Sequence, residues 1–177
     1  HATTVPASHV SAAYNLTLNS TSTGKSKIVK VPIESSSGFV ANLINDEAKT
    51  LGIEAVASTK VKISAPSSNG TISFNLLSKP GASSGADISA SILSSDLTNL
   101  ANSINNFSGR TGVVANLSSD KKHIIMENLN GDDVQISAFS SPNTVEMEVL
   151  KNDFSSFSTP VTVTLDNTNF KAARFSG

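Results

Sequence analysis

The most informative segment is Asp96-Leu97-Thr98-Asn99-Leu100-Ala101-Asn102-Ser103-Ile104-Asn105, which Thr111-Gly112-Val113-Val114-Ala115 follows after a short gap. Its apolar residues recur at the three- and four-residue spacing of an amphipathic helix. They are Leu97, Leu100, Ala101 and Ile104. Gly112 lies just beyond the helix, where a left-handed backbone conformation costs glycine little. The pattern predicts a helix with one buried face, a glycine turn and a strand that begins near Val113.

The same pattern occurs 60 residues earlier in the chain. Val40-Ala41-Asn42-Leu43-Ile44-Asn45 corresponds to residues 100–105, and Gly52, Ile53 and Ala55 correspond to Gly112, Val113 and Ala115. The offset continues upstream without a gap, where it relates Tyr14 to Phe74, Ile28 to Ile88 and Ile33 to Leu93. A repeat of this length defines the structural unit.

Each copy predicts the same elements in the same order. An alternating strand at 14–18 or 72–76 precedes a second strand at 28–33 or 88–93. A helix then begins at Ser36 or Ser37 in the first copy and at Ser94 or Ser95 in the second, where a hydroxyl can cap it. A hairpin ends each copy, pairing 53–58 with 60–64 and 113–117 with 123–129.

The predicted fold is therefore α+β and strand-dominated, with two strand-strand-helix-strand-strand units and additional C-terminal strands. The units are expected at 1–69 and 70–138. Residues 139–177 are expected to pack onto one of them. The tail strands are predicted at 133–139, after the Asn130-Gly131-Asp132 turn, at 144–150 and at 160–165, and residues 2–12 can complete a sheet.

Composition excludes several partner classes. The 177-residue chain has 13 Lys and Arg against 14 Asp and Glu, so it lacks the basic field that gathers nucleic acid. No apolar run approaches the ~20 residues of a membrane span. With 0 cysteines, disulfides and thiolate metal sites are excluded as well. We expect neither nucleic-acid binding nor membrane insertion.

No constellation of catalytic, cofactor-binding or metal-binding residues is apparent. The three histidines are His1, His9 and His123, and none accompanies a nucleophile, zinc or phosphate motif. Asp132 and Asp133, with Glu127 nearby, offer oxygen ligands but lack the alternating acidic loop of calcium sites. We predict a non-catalytic chain with no cofactor, in which Asn130 to Asp132 form a turn.

The second copy resembles the flagellin IN motif, named after its Ile-Asn pair. The resemblance covers much of residues 14–138, is closest at roughly 70–138, and is weaker in the first copy, which lacks an Asn-Gly-Asp turn. The residues that carry it are structural: Ala41, Ile44, Asn45, Gly52, Ala55, Leu97, Leu100, Ala101, Ile104, Asn105, Gly112, Val113, Ala115, Gly131, Asp132 and Ile136.

This resemblance implies the outer, variable region of a bacterial flagellin, a structural part of the motility filament. It implies an extracellular location, reached by the flagellar type III route without a cleaved signal peptide. The implied partners are neighbouring flagellin subunits, with host surfaces or glycans as further candidates, and the isolated fragment is expected to be monomeric. A hook-associated or cap protein can carry the same motif, and an adhesin or glycan-binding module is the alternative from another class.

Overall fold

The structure, a computed structural model, describes residues 10–78, 85–150, 162–166 and 171–176. Strands take 44% of it and helices 19%. The strands are β1 (Tyr14–Asn19), β2 (Ser26–Val31), β3 (Thr59–Ser64), β4 (Gly70–Leu77), β5 (Ala86–Ile92), β6 (Val114–Leu117), β7 (His123–Asn128), β8 (Val134–Ser140), β9 (Val145–Leu150), β10 (Thr162–Leu165) and β11 (Ala173–Phe175). The helices are α1 (Ser37–Ala48), α2 (Thr98–Asn105) and α3 (Ser108–Thr111), and a 3-10 turn (Lys49–Leu51) extends α1.

The described strands form three antiparallel sheets. The first is the β1-β2 hairpin, the second has the order β10-β9-β3-β7-β6, and the third has the order β11-β8-β4-β5. The prediction of a strand-dominated chain is confirmed. Strands β8, β9 and β10 coincide with the predicted tail strands, whereas β11 was not predicted. Of residues 2–12, those up to residue 9 lie outside the described part, and 10–12 form no strand.

The main core lies where the two larger sheets and α2 meet. Strand β5 alternates strictly between buried and exposed residues, with Ile88 and Ile92 buried, and β4 supplies Phe74, which stacks on Phe139 at 6.3 Å between ring centroids. Helix α2 adds Leu100 and Ile104 to the same cluster, both fully buried. The removal of these apolar side chains from water is the dominant contribution to the stability of the fold. Among the described residues, the β1-β2 hairpin and α1 contribute none to this cluster.

The two helices begin differently. Helix α1 is capped as predicted, because Ser36 Oγ accepts a hydrogen bond from Phe39 N at 3.2 Å. The predicted start of α2 at Ser94 or Ser95 is wrong, since those two residues form a turn closed by a bridge between Leu93 and Asp96. Asp96 Oδ1 instead accepts from Thr98 N at 2.8 Å. Neither α1 nor any other helix in the described ranges has the length and apolar character needed to cross a membrane.

The offset of 60 residues does not hold in the hairpins. Leu16 pairs with Val29 in the first hairpin, whereas Leu76 pairs with Ala86 in the second, three residues away from the position that the offset requires. Ile28 is consequently 58% exposed and Ile88 is 1% exposed. Side chains alternate between the two faces of a strand, so an odd change in register exchanges the buried and exposed sets.

The predicted hairpin within the first copy is absent. Residues 53–58 form no strand, and β3 follows them directly. The predicted strands leave a single residue for the turn, fewer than the two that the tightest common hairpin loops use. Strand β3 lies instead between β7 and β9, so strands from all three predicted ranges share one sheet. The hairpin of β6 and β7 forms as predicted.

Candidate functional site

The predicted motif residues occupy core, turn and surface positions. Nine are buried: Ala41, Leu97, Leu100, Ala101, Ile104, Val113, Ala115, Gly131 and Ile136. Four are half-buried: Ile44, Asn45, Ala55 and Asp132. Asn105 and the glycines Gly52 and Gly112 are exposed. The two glycines have φ values of 67° and 74° at the ends of their helical segments, the left-handed region that was predicted for them.

Asn105 binds both backbone groups of Ala115. Its Nδ2 donates to the Ala115 carbonyl at 2.9 Å, and its Oδ1 accepts from the Ala115 amide at 2.7 Å. Ala115 belongs to β6, one of the two edge strands of the five-stranded sheet. The asparagine side chain therefore takes the position of a neighbouring strand, which satisfies backbone groups that an edge would otherwise leave unpaired. We call this arrangement an asparagine clamp.

The first copy contains the same clamp. Asn45 Nδ2 donates to the Ala55 carbonyl at 2.9 Å, and the Ala55 amide donates to Asn45 Oδ1 at 2.7 Å. Both distances equal those of the second clamp, and both asparagines lie 10 residues before their alanine. Here the clamped segment is not part of a strand. The helix-to-turn geometry is thus the part of the sequence repeat that recurs in three dimensions.

Helix α2 also covers the edge of the four-stranded sheet. Asn99 Nδ2 donates to the Ser91 carbonyl at 3.0 Å, and Ser103 Oγ donates to the Ser89 carbonyl at 3.0 Å. Both carbonyls belong to edge strand β5. In the first copy the corresponding α1 positions are Phe39 and Leu43, which cannot donate. Helix α2 therefore protects an edge strand of each larger sheet, β6 in one and β5 in the other. Helix α1 has no donor side chains at the two positions that correspond to Asn99 and Ser103.

The Asn130-Gly131-Asp132 turn packs on the start of α1. Gly131 has a φ of 71°, and its carbonyl accepts from Gly38 N and from Ser37 Oγ, each at 2.8 Å. A Cβ placed on Gly131 would lie 2.5 Å from Ala57 Cβ, closer than real contacts. The turn assigned to the second copy by sequence therefore contacts the helix of the first copy.

Asn128 organises this turn and was not singled out from the sequence. Its Oδ1 accepts from Asn130 N at 2.8 Å and from Asp132 N at 3.3 Å. Its Nδ2 donates to Ser78 Oγ at 2.9 Å. The residue is fully buried at the end of β7. The available signal was an asparagine placed two residues before Asn-Gly, where its side chain can bond the turn backbone.

A groove of about 640 Å³ lies beside the turn and the start of α1. We call it the acidic groove, and its defining residues are Glu34, Phe39, Asp132, Asp133 and Arg174. Arg174 Nε lies 2.8 Å from Asp133 Oδ2, and the Asp133 side chain is 5% exposed. Burial raises the pKa of Asp132, and the charge of Asp133 adds to this effect, whereas a hydrogen bond from Asn128 opposes it.

His123 and the predicted acidic residues do not form one cluster within the described ranges. His123 lies half-buried in β7, with Nε2 4.0 Å from Asp120 Oδ2. Within the described ranges, no group of three or more His, Cys, Asp and Glu side chains is placed to hold a metal ion. His1 and His9 lie outside those ranges. Asp132 and Asp133 are neighbours in the acidic groove, but Glu127 is ion-paired with Lys60 at 3.2 Å.

Comparison with known proteins does not assign the chain to a family. No protein-family model matches it, and no curated protein matches it either.

Proposed function

We propose that this chain is the surface-exposed outer domain of a bacterial flagellin, a non-catalytic structural component of the flagellar filament. The observation that carries the proposal is the asparagine clamp, present at both Ile-Asn pairs. The pair is the centre of the sequence resemblance, and each asparagine makes the same two hydrogen bonds. This gives the motif a physical reason: the isoleucine face of the helix packs inward while the asparagine fixes the next segment.

The finer organisation is part of the same proposal. We infer two related units, each with a hairpin, a helix and a clamped segment, at 1–69 and 70–138, with 139–177 added to them. The recurrence of the clamp supports a common origin for the two. Two differences distinguish the first unit. Its hairpin has a different register, and its strand β3 pairs with β7 and β9 in the five-stranded sheet.

The proposed setting is extracellular. In it the chain is exported by the flagellar type III route without a cleaved signal peptide. Its partners are neighbouring flagellin subunits, and host surfaces or glycans are candidates for its exposed face. The nearly balanced charge, 13 Lys and Arg against 14 Asp and Glu, gives the chain no long-range field for nucleic acid, which is compatible with this setting.

Immunogold labelling of intact filaments with antibodies raised against this chain tests the proposal. A flagellin domain is expected to be labelled along the whole filament. Labelling confined to the tip or to the hook junction would instead indicate a cap or hook-associated protein. Filaments without any label, from cells that express the chain, would overturn the proposal. Saturable binding to one defined glycan in the absence of filament labelling would favour an adhesin.

A further inference from the structure

The β1-β2 hairpin carries an unbalanced positive charge. Between Val10 and Ile33 the charged residues are Lys25, Lys27 and Lys30, with no acidic residue among them. Residues 21–28 are all exposed, whereas Val29 and Val31 at the other end of β2 are buried beside α1. The ion pairs of the described residues include none of these lysines. The far end of the hairpin is therefore a cationic surface that pairs with no carboxylate in the described part of its own chain.

The acidic groove has the opposite character. Three carboxylates face one guanidinium in it: Glu34, Asp132 and Asp133 against Arg174. Asp133 is buried and its Oδ2 is paired with Arg174. Glu34 and Asp132 are therefore the carboxylates that a cation entering from outside can meet. Phe39, 46% exposed, adds an apolar and aromatic surface beside these charges, on which the stem of a lysine can pack.

The far end of the hairpin cannot fill the groove of its own molecule. Pro32 lies in the groove wall directly after β2. Lys25 is seven residues away along an extended strand, a separation of about 23 Å at the usual rise per residue. The lysines at the far end of β2 are therefore carried away from the groove by the strand itself. Within the described residues, Lys25 and Lys27 can therefore meet such a groove only in another molecule.

We propose that Lys25 and Lys27 of one copy enter the acidic groove of a second copy. The contact joins two different surfaces, so it can repeat head to tail along a row of copies, as a filament requires. The proposal rests on the proposed function for its setting, because it names the contact between neighbouring outer domains on a filament. Exposed ion pairs are individually weak, so a free chain associates only at high concentration, while the millimolar effective concentration along a filament suffices.

Complementary charge reversal tests the contact on the whole chain. The hairpin variant carries Lys25→Glu with Lys27→Glu, and the groove variant carries Glu34→Lys with Asp132→Lys. Glu34 already has a φ of 61°, so the lysine adds no new backbone strain there. Lys49→Glu with Lys122→Glu is the matched control, since it changes the net charge as the hairpin variant does but at two exposed sites elsewhere. Circular dichroism establishes that each variant is folded.

Sedimentation velocity over about 0.01–1 mM protein at low salt is the measurement. We expect wild type and control to associate with rising concentration, and about 0.5 M salt to abolish that association by screening. Each reversed variant alone is expected to be monomeric. An equimolar mixture of the two should associate again, because both the basic and the reversed hairpin then find a groove of opposite charge. Carbodiimide cross-linking should join Lys25 or Lys27 to Asp132 between molecules.

Three outcomes would overturn the proposal: a wild-type chain that stays monomeric throughout, a hairpin variant that associates like the control, or folded variants whose mixture fails to recover. These results are independent of the filament labelling. A chain that associates as expected but labels no filament retains the contact and loses the flagellin assignment. A chain that labels filaments but does not associate loses the contact alone.

Discussion

Asn105 binds both the amide and the carbonyl of Ala115, an edge-strand residue that is 5% exposed. Substitution Asn105→Ala leaves both backbone groups without this partner. We expect a loss of about 1–3 kcal/mol in the free energy of unfolding, the usual consequence of leaving backbone groups of a buried residue without their hydrogen-bond partner. Urea denaturation followed by circular dichroism measures it. Asn106→Ala is the control, since that neighbouring side chain is exposed and takes no part in the clamp. Equal shifts for the two variants would contradict a specific role for the clamp.

Gly131→Ala tests the packing of the turn on α1. The substitution introduces a left-handed alanine, a strain of about 1–2 kcal/mol. Its Cβ would also lie 2.8 Å from the backbone nitrogen of Gly38 in α1 and 2.5 Å from Ala57 Cβ. Gly52→Ala has the same backbone strain, because Gly52 has a φ of 67°, but no steric clash, because a Cβ added there would meet nothing within 4 Å. We expect the Gly131 variant to be less stable than the Gly52 variant by at least about 1 kcal/mol. If thermal unfolding gives the two the same midpoint, the turn does not pack on α1 as described.

The acidic groove makes stability depend on pH through Asp132. Its pKa is raised in the folded chain, chiefly by burial, so the ionised form is less favourable folded than unfolded. This loss of folding stability is absent at pH values below the pKa of Asp132 in the unfolded chain, and it is fully present above the pKa in the folded chain. Asp132→Asn should therefore stabilise the chain at pH 7, and the gain should shrink as pH falls towards about 3, below the ordinary pKa of an aspartate.

Asp120 is expected to change stability with pH in the opposite direction to Asp132. Hydrogen bonds from the Ser118 hydroxyl and the Lys122 amide lower its pKa, so its contribution is present above the unfolded pKa and is lost as pH falls through the folded pKa. Asp120→Asn should destabilise the chain at pH 7 and have less effect near pH 3. Denaturation midpoints across this range measure both variants. Parallel pH profiles for the two would show that the groove does not perturb Asp132.

Helix α2 protects β5 from pairing with other chains. Asn99→Ala combined with Ser103→Ala removes both donors to the edge carbonyls, which exposes the strand edge. These bonds are exposed, so we expect only a small loss of stability, about 0.5–1.5 kcal/mol, together with a clear increase in aggregation rate by light scattering. Asn102→Ala, on the exposed side of the same helix, is the matched control. An unchanged rate in the double variant would mean that α2 does not limit edge pairing.

The local elements were largely predictable, because their signals lie in adjacent residues. The spacing of Leu97, Leu100 and Ile104 sufficed for α2, and Gly112 for its end. The turn residues 118–122 predicted the hairpin of β6 and β7. Two local predictions failed. Residues 53–58 form no strand, and at the start of α2 the carboxylate of Asp96 accepts from the first helical amide in place of the two serines before it. Competing acceptors at neighbouring positions look alike in a sequence.

The partners of strands were not predictable. An alternating strand such as β3 fits any neighbour with a complementary buried face, so its place between β7 and β9 has no local signal. The hairpin register was missed for a related reason: Ser- and Thr-rich turns fit several loop lengths, and a three-residue change exchanges faces. The asparagines appeared as a repeated pair, but only the folded chain shows which backbone groups they bind. The acidic groove brings together residues from distant parts of the sequence, and its prediction would have required the sheet topology.

The position of β3 also has a kinetic consequence. Lys62 on β3 and Glu148 on β9 form an ion pair across 86 residues of chain. The central strand of the five-stranded sheet thus acquires both neighbours only when β7 and β9 are available, and loops of that length close slowly because the entropy is lost before the contacts form. In a chain that emerges with its N-terminal end first, β3 stays exposed until β7 and β9 have emerged. The five-stranded sheet is therefore expected to form late and in one step, once β7 and β9 are available to pair with β3.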